Sequence, residues 1–280
     1  IEPVVHSMYQ FEHIQKYLQT EILSGVGRVW VKFNSGMNRL GLNKEQALQV
    51  YGDLHRHPEP EVVLMSHLAS ADELDNPAAI DFTQRQIEEF DALKQQIAES
   101  TQGPVQGSLA ASSGILELPQ THHQFVRPGF MLYGASPFAS RSAEEIGLQP
   151  VMTLSARIIA INDVDAGATI GYGATYRCKQ NTRVGIVSIG YADGYPRSAK
   201  NGTPVVVKCQ GGPRRTGLLG RVSMDMLAID LTGMESVKIA DEVVLWGRDL
   251  PADEVARSAD TISYELFCKV TKRVEFVYTD

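Results

Sequence analysis

Three cysteines in 280 residues are too few and too widely spaced to suggest a disulfide framework or a zinc site. Cys178, Cys209 and Cys268 form no CxxC pair, so we expect buried or unreactive thiols. Long apolar runs are missing too, because no segment approaches the roughly 18 residues that span a bilayer. Residues 1–7 lack the charged and then apolar pattern of a signal peptide. We therefore predict a cytoplasmic protein with no membrane partner.

Basic residues are also outnumbered. The 26 lysines and arginines face 33 acidic residues, which gives a net charge of -7. Without a global positive field, nucleic acid is excluded as the main partner, although a local basic pocket stays compatible with this balance. Apolar residues are plentiful, because 43% of the chain is hydrophobic and 21% is charged. That ratio predicts a folded protein with one large domain or two ordinary ones.

Residues 1–147 alternate short β-branched runs with longer amphipathic segments, which is typical of parallel βα units. The predicted strands are Pro3–His6, Val29–Phe33, Val62–His67, Ser108–Ala111 and Phe125–Val126. The predicted helices are Gln10–Leu23, Lys44–His55 and Phe82–Ala98, the last capped by Asp81 or Thr83. Repeats of this size predict a (β/α)8 barrel of the TIM type.

The number of predicted strands is too small for that barrel. Five strands are predicted where eight close the fold, and the first begins at Pro3. We therefore expect an N-terminally incomplete barrel that lacks about three βα units, on the order of 90 to 100 residues. The alternative is that the barrel prediction itself is wrong.

Residues 148–280 have a different pattern and predict a second domain of mostly antiparallel β-structure. Strand-like segments alternate with short polar turns, and Asn201-Gly202 and Gly211-Gly212 are typical of hairpins. One helical segment, Asp253–Val270, follows the last strand. The predicted strands are Met152–Val164, Val184–Ile189, Thr203–Cys209, Arg221–Leu231 and Asp241–Trp246.

Seven motifs in a fixed order carry the functional signal. They are Lys32–Gly41, Ser66–Ala71, Val126–Gly129, Gly171–Tyr176, Gly190–Gly194, Arg221–Asp225 and Tyr264–Glu265. Along a βα barrel followed by a β domain, these motifs closely resemble the alanine racemases. Members of that family are fold-type III pyridoxal 5'-phosphate (PLP) enzymes. The resemblance implies an isomerase that interconverts L-alanine and D-alanine by a two-base mechanism, as a homodimer with shared active sites.

The resemblance assigns catalytic roles to three residues. Tyr172 matches the tyrosine that moves the α-proton of the substrate on one face, while a lysine serves the other face. An unperturbed phenol has a pKa of ~10, so such a base needs a nearby cation, and Arg39 matches the arginine that donates to it. Arg127 matches the arginine aimed at the pyridine nitrogen of PLP. Because a guanidinium keeps its proton, that nitrogen stays unprotonated, which favours racemisation over transamination.

Besides Arg127, cofactor binding is implied at five positions. The phosphate of PLP is expected at Ser112, at the backbone N–H groups of Gly129 and Phe130, and at Tyr264. His67 matches a histidine that packs against the cofactor ring.

The resemblance implies two substrate-binding loops, one at Tyr191 and one at Met224, whose side chains leave room for little more than a methyl group. Asp225 would support the second loop, and Arg39 would also face the substrate. Lys32 matches a lysine that is often carbamylated, which would give Arg39 an anionic neighbour. Ala111 stands where many relatives carry an asparagine, so one polar contact near the phosphate is lost.

Several of these residues also have an ordinary structural interpretation. Tyr172 could be an exposed tyrosine at a glycine-flanked strand end, and Arg127 could be a surface arginine before a Pro-Gly turn. Ser112 could cap a helix, and Asp225 could be an acidic turn residue. The pair His122-His123 has no carboxylate or cysteine partner, so we expect a solvated loop and no metal site.

The cofactor lysine of the family has no counterpart among the ten lysines of this sequence. We therefore expect it upstream of Ile1, in a missing N-terminal segment or another chain, and expect this chain to be inactive alone. Two other functions stay open: an inactive fragment that binds PLP or phosphate, and a racemase of broad or serine-directed specificity.

Overall fold

The computed structural model describes residues 1–18 and 26–279. They form two compact units, residues 1–129 with 137–139, and residues 130–136 with the chain from 140 onwards. The predicted domain boundary between residues 147 and 148 stays a prediction. Each unit is described by itself.

The first unit is built on a parallel sheet. Strands that are neighbours in the sequence pair in parallel, in the order β1-β2-β3-β4-β5, so each connection returns across the sheet as in the predicted βα units. This architecture is confirmed for the described strands. Their bounds are β1 Val4–Val5, β2 Arg28–Lys32, β3 Glu61–Met65, β4 Gln106–Ala111 and β5 Phe125–Arg127.

Four helices accompany these strands: α1 Met8–Leu18, α2 Lys44–His55, α3 Pro77–Thr101 and α4 Ser112–Glu117. Helix α2 has its predicted bounds, because Asn43 and Gln46 form a capping box at its start. Residues 19–23 of the first predicted helix lie outside the described residues. The buried faces of α2 and α3 join the strands in one core around Val31, Leu54, Leu64, Phe90, Leu93 and Ile97.

The predicted cap of α3 at Asp81 or Thr83 is wrong. The helix begins at Pro77, because the Asn76 side chain accepts a hydrogen bond from the N–H of Ala78 and proline suits the first helical position. Thr83 instead faces the core and is buried.

The second unit is a closed antiparallel barrel, which confirms the predicted β domain. Six strands close in the order β10-β11-β12-β9-β6-β13, and β7 pairs with β8 in a separate hairpin. The hydrophobic core of this unit includes Ile158, Val187, Val205, Leu245 and Trp246. The bounds are β6 Leu154–Val164, β7 Thr169–Ile170, β8 Tyr176–Arg177, β9 Thr182–Val187, β10 Pro204–Cys209, β11 Gly212–Leu219, β12 Leu227–Asp230 and β13 Glu242–Trp246; α5 Ala252–Ser258 and α6 Ser263–Lys269 follow.

Strands β7, β8 and β11 were not predicted, and two of the predicted segments differ from the structure. Only Leu227–Asp230 of the predicted strand Arg221–Leu231 is a strand, because residues 221–226 form a loop whose carbonyl groups accept hydrogen bonds from the motif Gly190–Gly194. The predicted helix Asp253–Val270 is two helices, broken where Asp260 adopts a left-handed φ of 54°.

Candidate active site

Four of the predicted site residues lie at or just after the carboxyl ends of neighbouring parallel strands. Lys32 is the last residue of β2, His67 lies just beyond β3, Ser112 directly follows β4, and Arg127 is the last residue of β5. Because the strands are parallel and paired in this order, these ends share one edge of the sheet. That edge is where α/β proteins commonly bind ligands.

Arg127 is half-buried and fixed by hydrogen bonds to the sheet. Its Nη1 donates to Ser108 Oγ at 2.6 Å, and its Nη2 donates to the carbonyl oxygens of Ser66 at 2.7 Å and Leu109 at 3.2 Å. Nη2 also lies 3.4 Å from Nδ1 of His67. Burial lowers the pKa of Arg127 to about 10, but this value is still high enough for the guanidinium to stay cationic at neutral pH. The sheet therefore holds a permanent positive charge beside His67.

A short loop after β2 brings Arg39 back towards Lys32. The N–H of Asn34 donates to the carbonyl of Leu42 at 2.9 Å, and the N–H of Leu42 donates to the carbonyl of Lys32 at 2.8 Å, which closes the loop. Burial, and then the positive charges of Arg127 and Arg39, lower the pKa of Lys32. An unmodified Lys32 thus lies among cations.

His67 is neutral at physiological pH. Burial is the main cause, and the positive charges of Arg127, Lys32 and Arg39 add to it, so that the pKa of His67 falls to about 4. A neutral imidazole can pack against an aromatic ring without adding a further cation to this edge of the sheet.

This depressed pKa predicts a pH dependence of stability. The unfolded histidine titrates at ~6.5, so the unfolded chain takes up a proton first as the pH falls. The stability contribution is complete above pH ~6.5 and is lost as the pH falls towards the folded pKa of about 4. From pH 7 to pH 5, the free energy of unfolding of the native protein should fall by about 1 kcal/mol more than that of His67→Gln, a value that allows for solvent screening. Urea unfolding at both pH values measures the difference, and equal losses would contradict it.

Ser112 and Gly129 lie together at the same edge. The N–H of Gly129 donates to Ser112 Oγ at 3.3 Å, and Ser112 is buried at the first position of α4. Ala111 provides no side-chain cap for this helix. A hydroxyl group and a backbone N–H are neutral donors of the kind that hold a phosphate dianion, so this donor set fits the phosphate of PLP without a basic side chain.

In the second unit, Phe130 and Tyr264 form a parallel ring stack. Their centroids lie 3.5 Å apart with an interplanar angle of 10°. Phe130 is buried, whereas Tyr264 is 40% exposed. The stack therefore places two of the predicted phosphate contacts side by side.

Tyr191 and Met224 lie on two loops that are hydrogen-bonded to each other. The N–H of Tyr191 donates to the carbonyl of Ser223 at 3.1 Å, and the N–H of Ala192 donates to the carbonyl of Met224 at 3.0 Å. The side chains of Tyr191 and Met224 are 38% and 52% exposed. This arrangement leaves both side chains free to contact a small ligand.

Sequence reasoning missed Arg273, which links these loops to the C-terminal segment. Its Nη2 donates to Asp225 Oδ1 at 2.7 Å, and its Nε lies 3.2 Å from Asp193 Oδ1. Asp193 also accepts from the N–H of Gly190 at 2.9 Å through its other oxygen. No motif along the chain points to Arg273, because its partners lie far away in the sequence.

Tyr172 lies in a short 3-10 turn, residues 172–174. The glycines on either side, Gly171 and Gly173, adopt left-handed φ values of 74° and 71°, which glycine reaches without steric cost. Its side chain is 71% exposed. A phenol presented in this way is available to a ligand or to another protein surface.

The expected solvated loop at His122-His123 is wrong for His123. That ring packs on Phe90 with centroids 5.0 Å apart, and its Nδ1 lies 3.3 Å from Nζ of Lys94. His122 bonds through Nε2 to the carbonyl oxygens of Gly114 and Ile115. Both histidines are thus engaged with the protein itself.

Three general features apply to residues 1–18 and 26–279. No group of three or more histidine, cysteine or acidic side chains is arranged to hold a metal ion. The cysteines are unpaired thiols. No helix has both the length and the apolar character to cross a bilayer. The cytoplasmic location stays a prediction.

Comparisons with known proteins agree in both halves of the chain. Residues 1–137 match the N-terminal domain model of alanine racemase, and residues 151–278 match the C-terminal domain model. The chain is 43% identical to an alanine racemase of Vibrio cholerae over 99% of its own length and 73% of the relative's. It is 46% identical to an alanine racemase of Pseudomonas taetrolens over 97% of this chain and 71% of the relative.

Solved structures give the same result. The biosynthetic alanine racemase of Pseudomonas aeruginosa matches with a TM-score of 0.87 and 41% identity, covering 100% of this chain and 73% of that one. The alanine racemase of Acinetobacter baumannii matches with the same TM-score and identity over 98% and 72%. With both domain models and relatives at this level of identity, the chain belongs to the alanine racemase family.

Proposed function

We propose that this chain acts in the PLP-dependent interconversion of L-alanine and D-alanine and that it supplies the tyrosine base of a two-base racemase. Family membership supports the reaction class. The observation that carries the residue assignment is the guanidinium of Arg127, held beside His67 at the carboxyl edge of the parallel sheet.

PLP, when bound, supplies an electron-withdrawing ring that acidifies the α-proton of an attached amino acid. Ser112, Gly129, Phe130 and Tyr264 would hold its phosphate, and His67 would pack on its ring. Arg127 would donate to the pyridine nitrogen and keep that atom unprotonated, because a guanidinium does not give up its proton at neutral pH. The residues therefore favour return of the proton to Cα.

Tyr172 and Arg39 would act on the substrate. Tyr172 would remove or return the α-proton on one face through its phenolic oxygen, and Arg39 would donate a hydrogen bond that favours the phenolate. We propose a homodimer in which Tyr172, Tyr191 and Met224 serve the site of the neighbouring subunit. The exposure of these three side chains supports that arrangement.

Substrate size would be limited by Tyr191 and Met224, with Asp225 and Arg273 holding the second loop in place. A pocket bounded by these side chains admits a methyl group more readily than a longer one. The ratio of kcat/KM for alanine to that for serine or leucine measures this effect. Near-equal values would support a broad-specificity racemase instead.

Lys32 would be carbamylated. Burial and two neighbouring cations lower its pKa, so a larger fraction of the amine is neutral and able to add to carbon dioxide. In that step an N–C bond forms, the nitrogen loses a proton to solvent, and the product carries one negative charge beside Arg39 and Arg127. We expect a carbamate carbon signal by ¹³C NMR when the protein is equilibrated with ¹³C-bicarbonate. Lys32→Arg should lack the signal, and its persistence in that variant would refute the assignment.

The proposed reaction is tested by following alanine in deuterated water. A purified racemase that contains this chain together with the cofactor lysine of the family, equilibrated with PLP, should exchange the α-proton of either enantiomer and bring both to the same final mixture. Chiral chromatography and mass spectrometry measure the two processes. Exchange with complete retention of configuration would contradict racemisation.

A further inference from the structure

Gln86 is a buried amide on α3 that the proposed mechanism does not use. It is 0% exposed, and each polar atom of its side chain has a partner in a loop beyond a strand end. Its Nε2 donates to the carbonyl of His67 at 3.2 Å and to Ser35 Oγ at 3.3 Å. Its Oε1 accepts from the N–H of Ala69 at 2.8 Å. A buried amide with these three bonds is costly to replace, because its partners would lose their bonds in a dry environment.

The hydrogen bonds beyond Gln86 form a connected series, in which each hydroxyl group accepts from the residue before it and donates to the next. The hydroxyl of Ser66 donates to the carbonyl of Phe33 at 2.8 Å, so Ser66 Oγ must accept from Ser35 Oγ, which lies 2.8 Å away. Ser35 Oγ in turn accepts from Gln86. Because each hydroxyl both donates and accepts, the bonds polarise one another. This hydrogen-bond series joins α3 to the segments that follow β2 and β3.

Two further contacts connect this hydrogen-bond series to the site. The carbonyl of Ser66 accepts from Nη2 of Arg127, so the segment that Gln86 holds also fixes the guanidinium. Gly36, with a left-handed φ of 132°, lies so close to α3 that a Cβ there would be 3.3 Å from the Phe82 ring and 3.6 Å from Cγ of Gln86. The loop that leads to Arg39 therefore rests directly on Gln86.

We propose that Gln86 is a positioning residue of this site, whose buried amide fixes the loops after β2 and β3 and thereby the placement of His67 and Arg127. This inference rests on the proposed function only where it links those two residues to the cofactor. The placement itself is a property of the protein alone.

Gln86→Met tests the inference, because methionine keeps the length of the side chain and removes its donors and acceptor. Freed from the amide, the His67 loop should open to water and move away from Arg127, Lys32 and Arg39, the charged groups that face the ring. By NMR of histidine-labelled protein, the titration midpoint of His67 should then rise by about 1 pH unit towards its ordinary value. The dissociation constant for PLP, measured by equilibrium dialysis, should rise about tenfold.

Two controls separate positioning from general destabilisation. Gln84→Leu changes an exposed glutamine of the same helix whose amide donates to Glu88, and it should alter neither measurement. Gln86→Glu keeps the acceptor for the N–H of Ala69 but loses the donors to the His67 carbonyl and to Ser35 Oγ, so its PLP affinity should lie between native and Gln86→Met. Where Gln86→Met does not fold, Ser35→Ala removes the two hydrogen bonds of Ser35 but leaves those of Gln86 to His67 and Ala69, so it should shift both measurements less, in the same direction.

The results for Gln86→Met and His67→Gln decide whether Gln86 is a positioning residue. A native His67 titration and native PLP affinity in a folded Gln86→Met would overturn it and leave Gln86 as core packing. Native PLP affinity in His67→Gln would overturn the proposed cofactor role of His67 and, with it, the functional part of the inference. The NMR titration of Gln86→Met tests the placement separately, so the two failures are distinguishable.

Discussion

Tyr172→Phe is expected to abolish nearly all racemisation while leaving PLP affinity unchanged. The variant removes one oxygen from a side chain that is 71% exposed, so the fold loses no buried contact. If this phenol is the base for one face of the substrate, kcat should fall about 10²- to 10⁴-fold, which is the usual contribution of a positioned acid or base. Chiral analysis of alanine gives the rate, and equilibrium dialysis gives the PLP dissociation constant.

The matched control is Tyr9→Phe, because Tyr9 is equally exposed at 70% and belongs to no motif of the site. It should keep native activity. A second distinguishing measurement is exchange of the α-proton in deuterated water, which Tyr172→Phe should retain for one enantiomer far better than for the other. Equal loss for both enantiomers together with weakened PLP binding would assign Tyr172 to binding instead of proton transfer.

Gly190→Ala is expected to cause a large loss of stability, because the added methyl group meets backbone atoms of a neighbouring loop. A Cβ at this position would lie 2.3 Å from the carbonyl oxygen of Met224 and 2.4 Å from that of Ser223. Both are backbone atoms, so the loops that carry Tyr191 and Met224 would have to separate. Overpacking of this kind costs about 3 kcal/mol, and the substrate pocket should be distorted as well.

Urea unfolding and kcat/KM for alanine measure the two effects of Gly190→Ala. Gly52→Ala serves as its control, because that glycine lies within α2 and a Cβ there meets no atom within 4 Å. It should stabilise the protein by about 0.5–1 kcal/mol, since alanine is the better helix former. Native stability in Gly190→Ala would show that the two loops are not in close contact in solution.

Local sequence signals explain where the fold was predicted well. Helix α2 has its predicted bounds because its start signal, the capping box of Asn43 and Gln46, lies within the helix terminus itself. Strand β11 was missed because Gly212, Pro213, Arg214 and Arg215 lack β-branched side chains, and the strand forms only by pairing with β10 and β12. Tertiary pairing overrides weak local preference in such segments.

In the candidate site too, some features could be predicted from the sequence and others could not. Lys32, His67 and Arg127 could be named because they lie in motifs that resemble those of the family, and Ser112 could be named from the same resemblance. Their charge states could not be named, because the pKa of His67 depends on burial and on cations from other segments. His123 was misjudged for that reason as well, since the phenylalanine that covers it lies on α3.

The order of residue types along the chain was enough to determine the alternation of parallel βα units, the antiparallel second half and the family to which the chain belongs. Only the tertiary structure decided that Gln86 joins Ser35 across 51 positions of sequence and that Arg273 reaches Asp225 across 48. Hydrogen bonds and burial depend on distance in space, and a long separation along the chain leaves no periodicity or motif from which such contacts could be inferred.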